Sequence, residues 1–167
     1  MSVLSLSGKL ALVTGAASGI GFAVAKSFAE QDADLVLIDV SPSVMEQATL
    51  IRNLNAWSGR KNAITAHVLD ITNKAEVDRV FQEIKIEHSK HRAVNIVVNS
   101  AGVAQWKSFI EITEEEFDQM ICTNLKGTFL ITQAAVRELV TAFPDTKFTT
   151  PTESYASIIN FSSQAGR

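Results

Sequence analysis

Apolar residues follow one another along this chain in two alternating rhythms. Short runs with no polar interruption, "LALV" at Leu10 to Val13 and "LVLI" at Leu35 to Ile38, read as strands buried on both faces. Between such runs the apolar positions recur every three or four residues, the spacing of one helix face. "KLALVTG" (Lys9 to Gly15) is thus a strand, and "IGFAVAKSFAEQ" (Ile20 to Gln31) the helix after it. "ADLVLID" (Ala33 to Asp39) is a second strand, and Val44, Ala48, Ile51 and Leu54 mark one face of the second helix. "AITAHVLD" (Ala63 to Asp70) precedes a third helix that carries Val77, Val80, Phe81 and Ile84. "AVNIVVN" (Ala93 to Asn99) is the fourth strand. A strong helix start follows at "ITEEEF": Thr113 caps, Glu116 reaches back, Ile112 staples against Phe117, and three glutamates lie at the positive end of the helix dipole. That helix is expected to run through Asn124 to about Ala142, and a polar stretch, "FPDTKFTTPTESYA", then leads to a closing strand at Ser157 to Phe161.

Strands alternating with helices in this way predict one α/β domain over residues 1–167. Parallel neighbours need crossover connections, so the sheet is expected to be parallel, ordered 3-2-1-4-5, with helices on both faces. A content of 46% hydrophobic and 20% charged residues suits such a domain. Net charge is −3 with the signs interspersed, which argues against nucleic acid or a membrane surface as partner. "KHR" at Lys90 to Arg92 reads as a solvated helix end. No apolar run reaches the roughly 18 residues of a membrane span, and the N-terminus lacks a secretory signal. Cys122, the single cysteine, reads as a small core residue and suits a reducing compartment, cytoplasmic or mitochondrial matrix. The first 25 residues contain no arginine, so no import signal is visible.

Candidate chemistry gathers where strands end. "TGAASGIG" (Thr14 to Gly21) joins the first strand to the first helix. Gly15 permits the tight turn, Gly19 lets backbone approach a ligand, and Gly21 lets the helix pack close to the strand. The helix start, with Ser18 and Ile20, offers free N–H groups to phosphate. The glycine spacing is G-x-x-x-G-x-G rather than G-x-G-x-x-G, so its place between strand and helix carries the inference. Asp39 ends the second strand, where a carboxylate accepts from both ribose hydroxyls of an adenosine and repels a 2′-phosphate; NAD is favoured over NADP, with Val40 beside it. Asp70 repeats that geometry next to Ile71 and is placed to meet the adenine amino group. "NSAG", from Asn99 through Ala101 to Gly102, leaves room for the cofactor to pass.

Taken together, "TGAASGIG", Asp39, "LDI" at Leu69 to Ile71, "NSAG", "NLKGTF" at Asn124 to Phe129 and "IINFSS" resemble the short-chain dehydrogenase/reductase family, in order and at its usual spacings. The stretches "NLKGTFLITQAA" and "SIINFSS" look most like the branch containing type 8 17β-hydroxysteroid dehydrogenase and the 3-oxoacyl-carrier-protein reductases. The resemblance implies a Rossmann-type doubly wound sheet, a small-molecule substrate (a secondary alcohol or ketone of 3-hydroxyacyl or hydroxysteroid type), and a homo- or hetero-tetrameric full-length form. It also implies four catalytic groups. A Tyr in a Y-x-x-x-K pair exchanges the proton, the Lys lowers its pKa, a Ser orients the substrate oxygen, and an Asn holds a relay water. Asn124 takes the Asn role, and Ser163, rather than Ser162, the Ser role. Tyr155 precedes the serines and has Ile159 four residues on, so it reads as a loop-packing residue. The matching Tyr and Lys would fall beyond Arg167. The chain is therefore read as C-terminally incomplete, roughly the first two-thirds of an enzyme of about 250 residues, inactive alone. Apolar surface is expected on the Asn124 helix and on the fifth-strand edge. The alternative is a non-catalytic dinucleotide-binding or regulatory module.

Other candidates carry less. His67, His88 and His91 do not cluster with acids or the cysteine at ligand spacing, so no metal site is assigned, and His67 reads as a hydrogen-bonded structural residue. Trp57 and Trp106 are expected to pack, with Trp106 also a candidate substrate contact.

Overall fold

The uninterrupted apolar runs form the strands β1 (Leu10–Thr14), β2 (Asp34–Asp39), β3 (Ile64–Val68), β4 (Ile96–Asn99) and β5 (Ser157–Asn160) of one parallel sheet, ordered β3-β2-β1-β4-β5. The structure is a computed structural model and describes residues 5–144 and 156–163. Tyr155 and the rest of 145–155 lie outside the described residues. Helices α1 (Gly19–Glu30), α2 (Val44–Trp57), α3 (Lys74–Glu87), α4 (Glu114–Met120) and α5 (Thr128–Ala142) make the crossovers, as in a Rossmann-type doubly wound fold.

Alternate residues of each central strand feed two separate cores. Leu10, Leu12, Val36, Ile38 and Val97 pack with Val77, Val80, Phe81 and Ile84 of α3 and Ile131, Ala134 and Ala135 of α5. Ala11, Val13, Leu35, Leu37 and Val98 pack with Ala25 and Ala29 of α1 and Val44, Ala48 and Ile51 of α2. Both faces are thus dry, which is why these strands read as continuous apolar runs.

Several expectations need correction. The buried face of α2 continues to Asn55, while Leu54 lies partly exposed. From Val44, steps of 4, 3 and 4 residues land on Asn55, and its Nδ2 donates to Asn62 Oδ1 at 2.7 Å, which makes burial of the amide tolerable. Trp57 falls on the opposite side of α2 and is 91% exposed; Trp106, in the loop after β4, is 94% exposed. Neither packs as expected. The Thr113 capping box with Glu116 is present, but the helix it starts is not regular. Residues Ile121–Gly127 form a π-helical segment between α4 and α5. Cys122 is exposed rather than in the core, because along α4 and this segment the first buried residue is Gly127. Phe117, Ile121, Leu125 and Phe129, four residues apart, form an exposed apolar row, and Ile158, Ile159 and Phe161 are exposed at β5.

"KHR" is a staple rather than a solvated helix end. Asp34, 4% exposed at the start of β2, accepts from Lys90 Nζ at 2.7 Å, His91 Nε2 at 2.6 Å and the Ala63 N–H at 2.6 Å. Arg92 donates to the Ala142 carbonyl at the end of α5, its guanidinium 4.2 Å above the Phe143 ring. His67 lies between Glu83 (3.4 Å) and Glu87 (3.0 Å), the structural role expected of it.

One buried charge works against the fold. Glu138 on α5 is 7% exposed and faces α3, with Lys85 Nζ 3.5 Å away and no hydrogen-bond partner for Oε1 among the described residues. Burial pushes its carboxyl up, opposed by Lys85. An acid raised in the folded state ionises first in the unfolded chain, so its destabilising effect grows as pH rises above 4.5. Glu138→Met is therefore expected to raise stability at pH 7 by about 1 kcal/mol. The gain should shrink towards pH 4, as checked by thermal unfolding at both values.

Candidate functional site

Because the strands are parallel, their carboxyl ends share one edge of the sheet, and a cleft of about 490 Å³ opens there. Gly15 and Ser18 line it from the loop after β1, and Gly19, Ile20 and Gly21 from the first turn of α1. Asp39 and Val40 line it after β2, Asp70 and Ile71 after β3, and Ala101 and Gly102 after β4. Of the residues singled out around "NSAG", Asn99 is the one beneath the cleft rather than on its wall. It is buried, and its Nδ2 donates to Thr132 Oγ1 (3.0 Å) and to Asn160 Oδ1 on β5 (2.8 Å).

Two glycines shape the turn. Gly15 has φ +67°, and a Cβ there would stand 2.8 Å from the Ala101 nitrogen. A Cβ on Gly21 would stand 2.7 Å from the Gly15 carbonyl carbon. No side chain caps α1 at Ser18, and its first turn holds no acidic residue, so the helix start presents backbone N–H groups and positive dipole into the cleft. Thr14, missed by sequence reasoning, stitches the loops together: its Oγ1 accepts the N–H groups of Ser100 and Ala101, both at 3.1 Å.

Asp39 is held by backbone. Oδ2 accepts from the Ala17 N–H and Oδ1 from the Ser41 N–H, both at 2.9 Å. This fixes the carboxylate against the glycine loop and leaves each oxygen a further lone pair for a ligand hydroxyl. Asp70 Oδ1 similarly accepts from Thr72 N–H at 2.8 Å. Uncapped N–H groups, a bare-backbone turn and an anchored carboxylate fit the pyrophosphate and ribose of a dinucleotide.

The two expected catalytic residues sit differently. Asn124, in the π-helical segment, accepts from Val103 N–H through Oδ1 (2.8 Å) and donates to Val103 O through Nδ2 (2.9 Å), so it clamps the loop after β4. Ser163 follows β5 on the edge of the sheet that carries the cleft but is not part of the cleft wall. Val103, Gln119 and Thr123 complete the wall on that side. Gln119 and Thr123 are four residues apart on one helical face, a spacing legible in principle but without chemistry to mark it. Among the described residues no group of three His, Cys, Asp or Glu side chains is placed to hold a metal ion. Nor, among them, is any helix long and apolar enough to cross a membrane.

A family model described as short chain dehydrogenase matches residues 9–167. The chain belongs to the short-chain dehydrogenase family. Within that family, the NAD-dependent glycerol dehydrogenase of Listeria innocua is 38% identical over 136 residues, covering 81% of this chain and 49% of that protein. The 3-oxoacyl-[acyl-carrier-protein] reductase FabG of Thermotoga maritima is 29% identical over 163 residues, 98% of this chain and 58% of that protein. The crystal structure of a short-chain type dehydrogenase/reductase from Mycobacterium marinum superposes with a TM-score of 0.71 at 29% identity, covering 82% of this chain and 52% of that one. This short-chain dehydrogenase chain therefore spans about half the length of the curated relatives it matches.

Proposed function

We propose that the chain is the dinucleotide-binding portion of an NAD-dependent oxidoreductase that interconverts a secondary alcohol and a ketone, of the 3-hydroxyacyl or hydroxysteroid type. The observation that carries this reading is the anchored Asp39 carboxylate facing the same cleft as the uncapped start of α1. When bound, the nicotinamide supplies hydride transfer to or from the substrate carbon. The protein's part is placement. The α1 N–H groups hold pyrophosphate, Asp39 accepts ribose hydroxyls and disfavours a 2′-phosphate, and Asn124 fixes the Val103 wall through its clamp. Ser163 orients the substrate oxygen. The wider family membership, the L. innocua enzyme's use of NAD and the T. maritima reductase's acyl substrate support this reading.

Fluorescence titration of the 167-residue chain with NADH and NADPH tests it. NADH is expected to bind more tightly; no NADH binding, or a preference for NADPH, overturns it. Asp39→Ala is expected to weaken NADH on the order of tenfold and to narrow its advantage over NADPH, since a charge-assisted pair of hydrogen bonds and the repulsion of a 2′-phosphate are lost together.

A second, narrower reading concerns turnover. The one tyrosine, Tyr155, is followed at the fourth position by Ile159, not lysine, so these 167 residues alone supply no Tyr–Lys proton donor. We infer that this polypeptide by itself binds dinucleotide without turnover, and that the full-length form works inside the cell as a homo- or hetero-tetramer. Robust NADH consumption by the 167-residue chain with 3-oxoacyl thioesters would refute the first part.

A further inference from the structure

One wall of the cleft leans on a bare piece of helix backbone. Gly127 ends the π-helical segment and is buried, with Ile71 against it. A Cβ on Gly127 would stand 2.6 Å from both Cγ1 and Cδ1 of Ile71 and 3.5 Å from its Cβ. The backbone does not ask for glycine here: φ is −60° and ψ −48°, ordinary helical values. At such a position alanine is ordinarily the more stable residue. What the missing side chain provides is room for Ile71.

Ile71 has little freedom to yield. It is 6% exposed, belongs to the core packed by α3 and α5, and also lines the cleft beside Asp70. Branching at Cβ restricts its χ1, and the core behind it is filled, so an intruding methyl drives it towards the open side, which is the cleft. The same π-helical segment grips a second cleft wall through the Asn124–Val103 clamp. One irregular turn of helix thus sets two walls at once.

We propose that Gly127 is a positioning residue: by carrying no side chain it seats Ile71 and so sets the width of the cleft at the end of β3, beside Asp70, where the adenosine half of the dinucleotide lies. This rests on the dinucleotide reading above. Beyond making room for a core residue, this gives Gly127 a part in shaping the cleft.

The test is a double-mutant cycle on the 167-residue chain, with NADH and ADP-ribose as probes. Gly127→Ala is expected to weaken both on the order of tenfold and equally, because the displaced wall serves the half they share. Ile71→Ala removes the two atoms the new methyl would meet. In that background, adding Gly127→Ala should change either affinity by less than about twofold. The NADH-dependent rise in unfolding temperature is measured alongside, so that a destabilised variant still reports binding. Undiminished binding by Gly127→Ala overturns the proposal, as does an equal loss in both backgrounds or a loss confined to NADH. Failure of the unaltered chain to bind either probe instead overturns the dinucleotide reading and takes this proposal with it.

Discussion

Gly21→Ala is expected to cost about 3 kcal/mol or more of folding stability and to abolish the NADH binding proposed above. The new Cβ would overlap the Gly15 carbonyl group, standing 2.7 Å from its carbon and 3.0 Å from the Thr14 oxygen. These are backbone atoms at the end of β1, and they cannot rotate aside as a side chain does. Relief requires α1 to move outward. Its start would then leave the cleft, and the Asp39 bond to Ala17 N–H would stretch with it. Denaturant unfolding gives the stability change, and NADH titration gives the binding. Unchanged affinity in a stably folded Gly21→Ala protein would show that α1 does not need this closeness.

Asp34→Ala is expected to cost about 3 kcal/mol by a different route. Its carboxylate gathers three donors, and removing it leaves the buried His91 side chain and the partly buried Ala63 N–H without that acceptor, whereas the exposed Lys90 can turn to water. Burial alone would push the Asp34 carboxyl up, but the hydrogen bonds from His91, Lys90 and Ala63 N–H outweigh it and hold it below its ordinary value of 3.8. A depressed acid contributes stability that is complete above 3.8 and lost as pH falls through the lower folded value. Nearby His88 is buried with Nε2 2.9 Å from Thr65 Oγ1. Burial pushes it below 6.5, against the pull of Asp34 and Glu87 and with the repulsion of His91 and Lys90. For a base lowered on folding, the unfolded chain takes up the proton first, so stability begins to fall as pH drops below 6.5. Unfolding free energy measured against pH is thus expected to lose the Asp34 contribution below 3.8 and the His88 contribution below 6.5, the latter offset in part by the relief of Glu138, and Asp34→Ala should flatten the lower range. An unchanged slope below 3.8 in the variant contradicts the assignment.

Much of the fold was legible because burial on both faces writes itself as uninterrupted apolar residues, as in Leu35 to Ile38, and because crossover connections leave few sheet orders open. The cleft walls were legible for a related reason: in a parallel sheet, whatever follows a strand lies at the same edge, so Asp39, Asp70 and Gly102 had to be neighbours. What escaped was not periodic. The stretch from Glu114 to Lys126 keeps a helical alternation of apolar and polar residues yet buries none of them, so nothing before Cys122 announces its exposure. Leu54 outranks Asn55 in hydrophobicity but not in helical angle, and Asn62 supplies the partner that lets Asn55 take the buried place. The pairing of Lys90 and His91 with Asp34 joins distant segments, and a short run of cations carries no mark of the acid that awaits it. Thr14 was missed because a threonine ending a strand is commonplace until two amides converge on it.

Asp34 and Asp39 open and close the same strand, about 16 Å apart along its axis. The first answers to protons and holds the protein's base together, whereas the second answers to whatever enters the opposite rim. At such a separation substitutions sum without cross-talk, so tolerance of acidity and the nucleotide preference proposed for Asp39 are free to drift apart in evolution, or to be tuned one at a time by an engineer.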